Sequence, residues 1–147
     1  MNPESFSHKT VLLNEAIYNL SVQEDGIYID GTYGRGGHSQ SIINSLGSKG
    51  ILIAIDKDLE AYDHASKAFK NDSRFSIFHS SFNELDKISK QEGVFGSVNG
   101  ILLDLGISSP HVDDPKRGFS FLRDGPLDMR MDTTQGITVA EWLSQVS

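Results

Sequence analysis

Ile27-Tyr28-Ile29-Asp30-Gly31-Thr32-Tyr33-Gly34-Arg35-Gly36-Gly37-His38-Ser39 is a short apolar run that ends in an acid and then places four glycines in seven residues. Glycine lacks Cβ, so it takes positive φ and lets the backbone pass close to a ligand, at a larger entropic cost than any other residue. A strand that ends in such a loop and leads into a helix presents outward N–H groups to the polar part of a nucleotide-like cofactor. The bland alternative is a turn that only tightens a strand-to-helix crossover, and the surrounding chain has to decide between them.

Downstream of the loop, Ser39 to Leu46 places Ile42, Ile43 and Leu46 at helical spacing, with Gly47 as the expected C-terminal cap. A second apolar run, Ile51 to Ile55, ends in Asp56. Asp58 then caps a helix carrying Leu59, Tyr62, Ala65 and Phe69 on one side, and Asn71-Asp72-Ser73 closes it. Phe75 to Phe78 reads as a third strand. Asn83 is the expected cap of a helix to Gln91, terminated by Gly93, and Val98 to Leu103 reads as a fourth strand ending in Asp104. Upstream, Leu12, Leu13, Ala16, Ile17 and Leu20 form an amphipathic stripe with Thr10 as its cap. Apolar runs alternating with helices predict an α/β fold, a doubly wound parallel sheet of about four strands buried on both faces.

Beyond Asp104 the pattern changes. Residues 105–135 carry Gly, Pro, Ser and paired charges without periodicity, which is more chain than a connection needs and is expected of a functional loop. Thr138 and Glu141 form a capping box that opens a last helix. Residues 1–9 read as a flexible arm, 10–104 as a cofactor-binding α/β core, and 105–147 as the long loop together with that last helix.

The chain has 147 residues, a one-domain length, with 37% hydrophobic and 22% charged residues. No apolar run approaches the roughly 18 residues of a membrane span, and Met1 to Lys9 is too polar for a secretory signal, so no membrane partner and a cytoplasmic location are expected. There is no cysteine, and the five histidines lack ligand spacing, so no metal site is expected. A formal charge of −7 argues against broad nonspecific binding to nucleic acid, whose backbone is held chiefly by Lys and Arg.

Ligands of open α/β sheets bind beyond the carboxyl ends of the strands, and three predicted strands end there in an acid: Asp30, Asp56 and Asp104. Asp56 stands where a carboxylate accepts hydrogen bonds from a ribose diol. A dinucleotide would require Gly-x-Gly-x-x-Gly, but the register here is Gly34-Arg35-Gly36-Gly37-His38-Ser39, with Ser at the third required position. S-adenosyl-L-methionine has no phosphate and asks for less: room over the glycines, an acid for the ribose and an apolar wall for adenine. Phe82 is placed to be that wall or an ordinary core aromatic. The run Asp104 to His111 falls where amino-group methyltransferases carry an acid or amide followed by proline. An exocyclic amine is a poor nucleophile, so acceptors must hold its N–H groups during in-line approach. Asp104 or nearby carbonyls fit that need, and Asp104 fits a cofactor contact equally well.

Asp30 to Ser39, Asp104-Leu105-Gly106-Ile107-Ser108-Ser109-Pro110, Arg117-Gly118-Phe119-Ser120-Phe121 and Gly125 to Asp132 together resemble the bacterial ribosomal RNA small subunit methyltransferase H family over nearly the whole chain. The resemblance implies a Rossmann-like methyltransferase core that uses S-adenosyl-L-methionine to methylate N4 of a cytidine in small-subunit (16S) ribosomal RNA. It also implies cofactor contacts at Gly36, Gly37, His38, Asp56, Phe82, Asp104 and His111, the last standing where the family usually has Gln. No catalytic residue is assigned.

Family members continue into an inserted helical domain and closing strands, including a Ser-Phe-His-Ser motif absent here. The chain is therefore expected to be a truncated N-terminal portion with cofactor binding weakened or absent and no RNA methylation of its own. Its unfinished sheet edge is expected to favour a homodimer. Lys116, Arg117, Arg123 and Arg130 lie among Asp113, Asp114, Asp124, Asp128 and Asp132, so local salt bridges ordering a loop are the better reading than an RNA-binding patch. The readings from other classes are a dinucleotide-binding oxidoreductase domain and a non-enzymatic interaction scaffold.

Overall fold

The computed structural model describes residues 10–146, and the arm expected over residues 1–9 lies outside them. In order, the elements are α1 (Leu13–Leu20), β1 (Ile27–Asp30), α2 (Gly37–Ser45), β2 (Ile51–Asp56), α3 (Leu59–Ala68), β3 (Phe75–His79), α4 (Leu85–Gln91), β4 (Gly100–Leu102), α5 (Ser109–Asp113) and α6 (Val139–Gln145). Two 3-10 turns, Phe82–Glu84 and Pro115–Arg117, precede α4 and follow α5.

All strand pairings are parallel, and the sheet order is β3-β2-β1-β4. Successive side chains of a strand point to opposite faces, and here both faces are covered. Tyr28, Leu52 and Ala54 pack on one side with Ile42, Ile43, Ala61, Ala65 and Phe69 of the α2 and α3 layer, and Ile17 and Leu20 of α1 join them. Ile29, Ile53 and Ile55 pack on the other with Ile88 and Val94 beside α4. Double burial explains why β1 and β2 read as continuous apolar runs rather than alternating ones. The fold is the α/β, doubly wound architecture with the expected four strands.

Element ends differ from expectation for local reasons. Thr10 does not cap α1: Leu12 occupies the N-cap position in the left-handed region, at φ 50°, without a side-chain cap. The Thr10 side chain lies instead against Gly37. Helix α2 begins at Gly37, two residues before Ser39, because the Ser39 hydroxyl turns inward to Asp30. Gly47 does not form a left-handed cap; its N–H donates to the carbonyl of Glu24 at 2.8 Å while Leu46 leaves α2 extended. Asn83 does not cap α4, since the Ser81 hydroxyl accepts the Asn83 N–H and opens a 3-10 turn there.

Strand β4 is shorter than the expected 98–103 because side chains take over its ladder. Asn99 Oδ1 accepts from Ile27 N–H at 2.8 Å, and Asp104 N–H donates to the Thr32 hydroxyl at 2.7 Å. Asp58 does cap α3, its Oδ1 accepting the Glu60 N–H at 3.0 Å.

Candidate functional site

Strands β1, β2 and β3 step in one direction across the sheet, and β4 returns to the free side of β1. Such a reversal leaves a crevice beyond the carboxyl ends of the strands that flank it. A cavity of about 520 Å³ opens there, with a floor of Gly31 to Arg35, Gly37, His38 and Asp56 and a far wall running from Asp104 to Ser109 with His111 and Met131. That volume suits one small organic ligand, for which pockets of roughly 300–1,000 Å³ are usual.

The floor is braced from beneath by Asp30. This carboxylate is fully buried; Oδ2 accepts the Ser39 hydroxyl at 2.7 Å and Oδ1 accepts the Thr32 N–H at 3.1 Å, so one side chain pins both ends of the glycine loop. Burial pushes its pKa up, against the lowering effect of those two hydrogen bonds. Gly34, at φ +58°, turns its N–H to Asp56 Oδ2 at 2.7 Å, and Asp56 Oδ1 accepts the Asp58 N–H at 2.9 Å. Each Asp56 oxygen keeps a second acceptor position for a ligand hydroxyl.

Tyr33 departs from the loop downward. Its ring lies edge-on to Phe69 and Phe75, and its hydroxyl is hydrogen-bonded to His64 Nδ1 at 2.9 Å. Burial, with Asp30 nearby, raises its pKa to about 12. Gly36, at φ +80°, sits directly over this ring, where any Cβ would collide with it. Gly36 is thus behind the cavity wall, whereas Gly37, His38, Asp56, Phe82, Asp104 and His111 all line the cavity.

Phe82, in the turn after β3, is 41% exposed and belongs to neither core cluster, so its ring is available to a ligand. The Asp104 side chain is 55% exposed, with His38 Nδ1 4.0 Å from its Oδ2.

His111 enters through a network that no local spacing announces. Ser108 N–H donates to its Nδ1 at 3.2 Å, which leaves the ring proton on Nε2, and Nε2 donates to Asp58 Oδ2 at 2.6 Å. Arg117 Nη1 donates to the same oxygen at 3.0 Å, and all three side chains are buried. Burial alone would raise the Asp58 pKa, but hydrogen bonds from His111, Arg117 and the Glu60 amide outweigh it and bring it down to about 2. Arg117 Nη2 also donates to the carbonyls of Arg130 and Met131, at 3.2 and 3.0 Å, while its Nε is buried without a partner.

Asp58 was legible as a helix cap only; its second oxygen, and Arg117 with it, are additions from the structure. So are Thr10 and Val11, which reach the cavity from the chain's beginning. Of the other loop charges, Arg130 pairs with Asp128 at 2.8 Å and Arg123 donates to the carbonyl of Asp113, while Asp132 lies 3.8 Å from His79 Nε2 at the end of β3. No helix among the described residues is long and apolar enough to cross a membrane.

The sequence profile of the MraW methylase family matches residues 5–147. A protein from Shewanella frigidimarina named ribosomal RNA small subunit methyltransferase H is 55% identical over 97% of this chain and 45% of its own length. One of the same name from Legionella pneumophila strain Corby is 56% identical over 94% of this chain and again 45% of its own. The chain therefore spans a little under half the length of the curated relatives it matches. Among solved structures, an rRNA methylase from Streptococcus thermophilus aligns with a TM-score of 0.44 at 18% identity, over 54% of this chain and 48% of that one.

Proposed function

We propose that this chain, which belongs to the MraW methylase family, binds S-adenosyl-L-methionine and forms the cofactor half of an rRNA methyltransferase acting on N4 of a cytidine in small-subunit ribosomal RNA. One observation carries the reading: a glycine loop tied to Asp56, a half-exposed Phe82 and the half-exposed Asp104 face one cavity at the reversal point of the sheet. The residues fit this cofactor, which brings no pyrophosphate: of the cations lining the cavity, Arg35 is already paired with Glu60 at 3.2 Å. Asp56 offers acceptors for a ribose diol, Phe82 an apolar face for adenine, and Gly37 and His38 a close backbone approach for the methionine end. Residues 10–104 are the cofactor-binding core in this reading, and the segment beyond Asp104 closes the cavity.

When bound, S-adenosyl-L-methionine supplies a methyl carbon made electrophilic by its sulfonium sulfur. The chain's task is positioning and electrostatics. Asp104, at the mouth, holds acceptor lone pairs toward an amine, and His38 beside it limits where that carboxylate points. A cytidine in structured RNA has to leave its stack to reach this depth. The small ribosomal subunit is the proposed partner, and the cytoplasm the proposed location. The outer side of β4, where Ile101 is 47% exposed, is the proposed contact of a homodimer.

Calorimetric titration tests the cofactor reading: S-adenosyl-L-methionine and its demethylated product are expected to bind and a nicotinamide dinucleotide is not. The reverse ranking would overturn it. Labelled cofactor and unmodified small subunits test the division of labour: this chain alone is expected to transfer no methyl group, and transfer by it would overturn the reading of it as the cofactor half only.

A further inference from the structure

The far wall of the cavity is made by a segment with little regular structure, and something must hold it. Between Asp104 and Met131 the described chain has one short helix and one 3-10 turn, and many of its apolar side chains face outward. Asp58 Oδ2 supplies the hold: it takes Nε2 of His111 at 2.6 Å and Nη1 of Arg117 at 3.0 Å, and Arg117 passes the connection to the carbonyl of cavity-lining Met131. His111 and, through Arg117, Met131 are thus tied to one buried oxygen at the start of α3, in addition to the Asp104 N–H on the Thr32 hydroxyl and the Asp132–His79 pair at the margins of the wall.

We infer that Asp58 is a positioning residue that clasps the 105–131 segment over the cavity, so that closing this wall and binding the cofactor are coupled. The inference rests on the cofactor reading above and assigns to Asp58 a task beyond capping α3. The competing role, a cap alone, makes a different prediction for Asp58→Asn. Asn caps helices about as well as Asp. Its amide, however, has one acceptor oxygen where the carboxylate has two. Oδ1 already serves the Glu60 amide, so the substituted NH2 group would face two donors, Nε2–H of His111 and the guanidinium of Arg117.

Hydrogen exchange on the unliganded 147-residue chain, read beside calorimetry with S-adenosyl-L-methionine, tests the clasp. Asp58→Asn is expected to speed exchange across residues 105–131 and weaken binding, each roughly tenfold, as losing a charge-assisted hydrogen bond implies. Protection of β1, β2 and β3 should persist. Exchange and affinity both within about twofold of the parent chain, the limit expected of a cap-preserving change, would overturn the inference. If Asp58→Asn fails to fold, Arg117→Lys carries the same two outcomes, since it leaves the cap untouched and removes only the fork. A parent chain that binds no S-adenosyl-L-methionine would overturn the cofactor reading and the coupling with it, while the exchange arm still decides whether the clasp exists.

Discussion

The amide of Gly34 donates to Oδ2 of Asp56 at 2.7 Å, so the glycine loop after β1 and the end of β2 form one unit before any ligand arrives. Asp56 is a brace for the loop as well as the proposed acceptor for a ribose. Its two oxygens satisfy two backbone N–H groups, those of Gly34 and Asp58.

Two substitutions distinguish a residue that braces the loop from one that only faces the ligand. Asp56→Ala is expected to abolish calorimetric binding of S-adenosyl-L-methionine and to lower stability by roughly 1–3 kcal/mol, because two part-buried amides lose their acceptor. Phe82→Ala is expected to weaken binding while costing less than about 1 kcal/mol, since the half-exposed ring contributes little core burial. Urea denaturation beside the titrations would show whether the effects divide this way; equal stability losses would place Phe82 in the core instead.

Glycine replacements in the loop should rank by what surrounds each one. Gly34, at φ +58°, has open space around it, so Gly34→Ala should cost roughly 1 kcal/mol of left-handed strain and no more. Gly36→Ala adds a collision with the Tyr33 ring to the same kind of strain and should exceed about 2 kcal/mol. Melting curves of the two variants check the order.

Acid should release the clasp at a defined point. Asp58 has a folded pKa of about 2 against a usual value of 3.8, so it is depressed. Its stabilisation is complete above the unfolded value and is lost as pH falls through the folded one, between about pH 4 and pH 2. The loss amounts to about 2 kcal/mol. Arg117→Lys, lacking one of the hydrogen bonds that depress it, should show a shallower acid limb in denaturation measured across that range.

The free side of β4 presents backbone groups and the half-exposed Ile101. Unpaired edges of this kind recruit another strand. Sedimentation at rising protein concentration should reveal a dimer, and Ile101→Lys should shift it toward monomer. A parent chain that stays monomeric at the highest concentration would remove the edge-pairing proposal.

Much of this architecture could be read from local pattern. Ile27 to Ile29 and Ile51 to Ile55 are apolar throughout because both sheet faces are covered, and that signal needs no tertiary knowledge. The acids at the strand ends were legible for the same reason, as breaks in those runs. Cap positions were less so: Thr10 and Asn83 have the right chemistry, but Thr10 was drawn away to Gly37, and the Ser81 hydroxyl captured the turn before Asn83. The Asp58 network was invisible because its partners lie 53 and 59 residues away, joined only by the folding of an aperiodic segment. Gly36 shows a further limit, a loop glycine whose missing Cβ is demanded by the Tyr33 ring beneath it, a constraint that local pattern does not announce.

The sheet order also sets a timetable. The floor of the cavity comes from β1, β2 and the turn between β1 and α2, whose contacts are close in sequence, whereas β4 must travel back to β1 and Arg117 must then reach Asp58. Distant contacts bear their loop-closure cost late. A protein built this way has a nucleus that assembles early and a wall that arrives last, and changes in that wall should be felt as faster unfolding rather than slower folding.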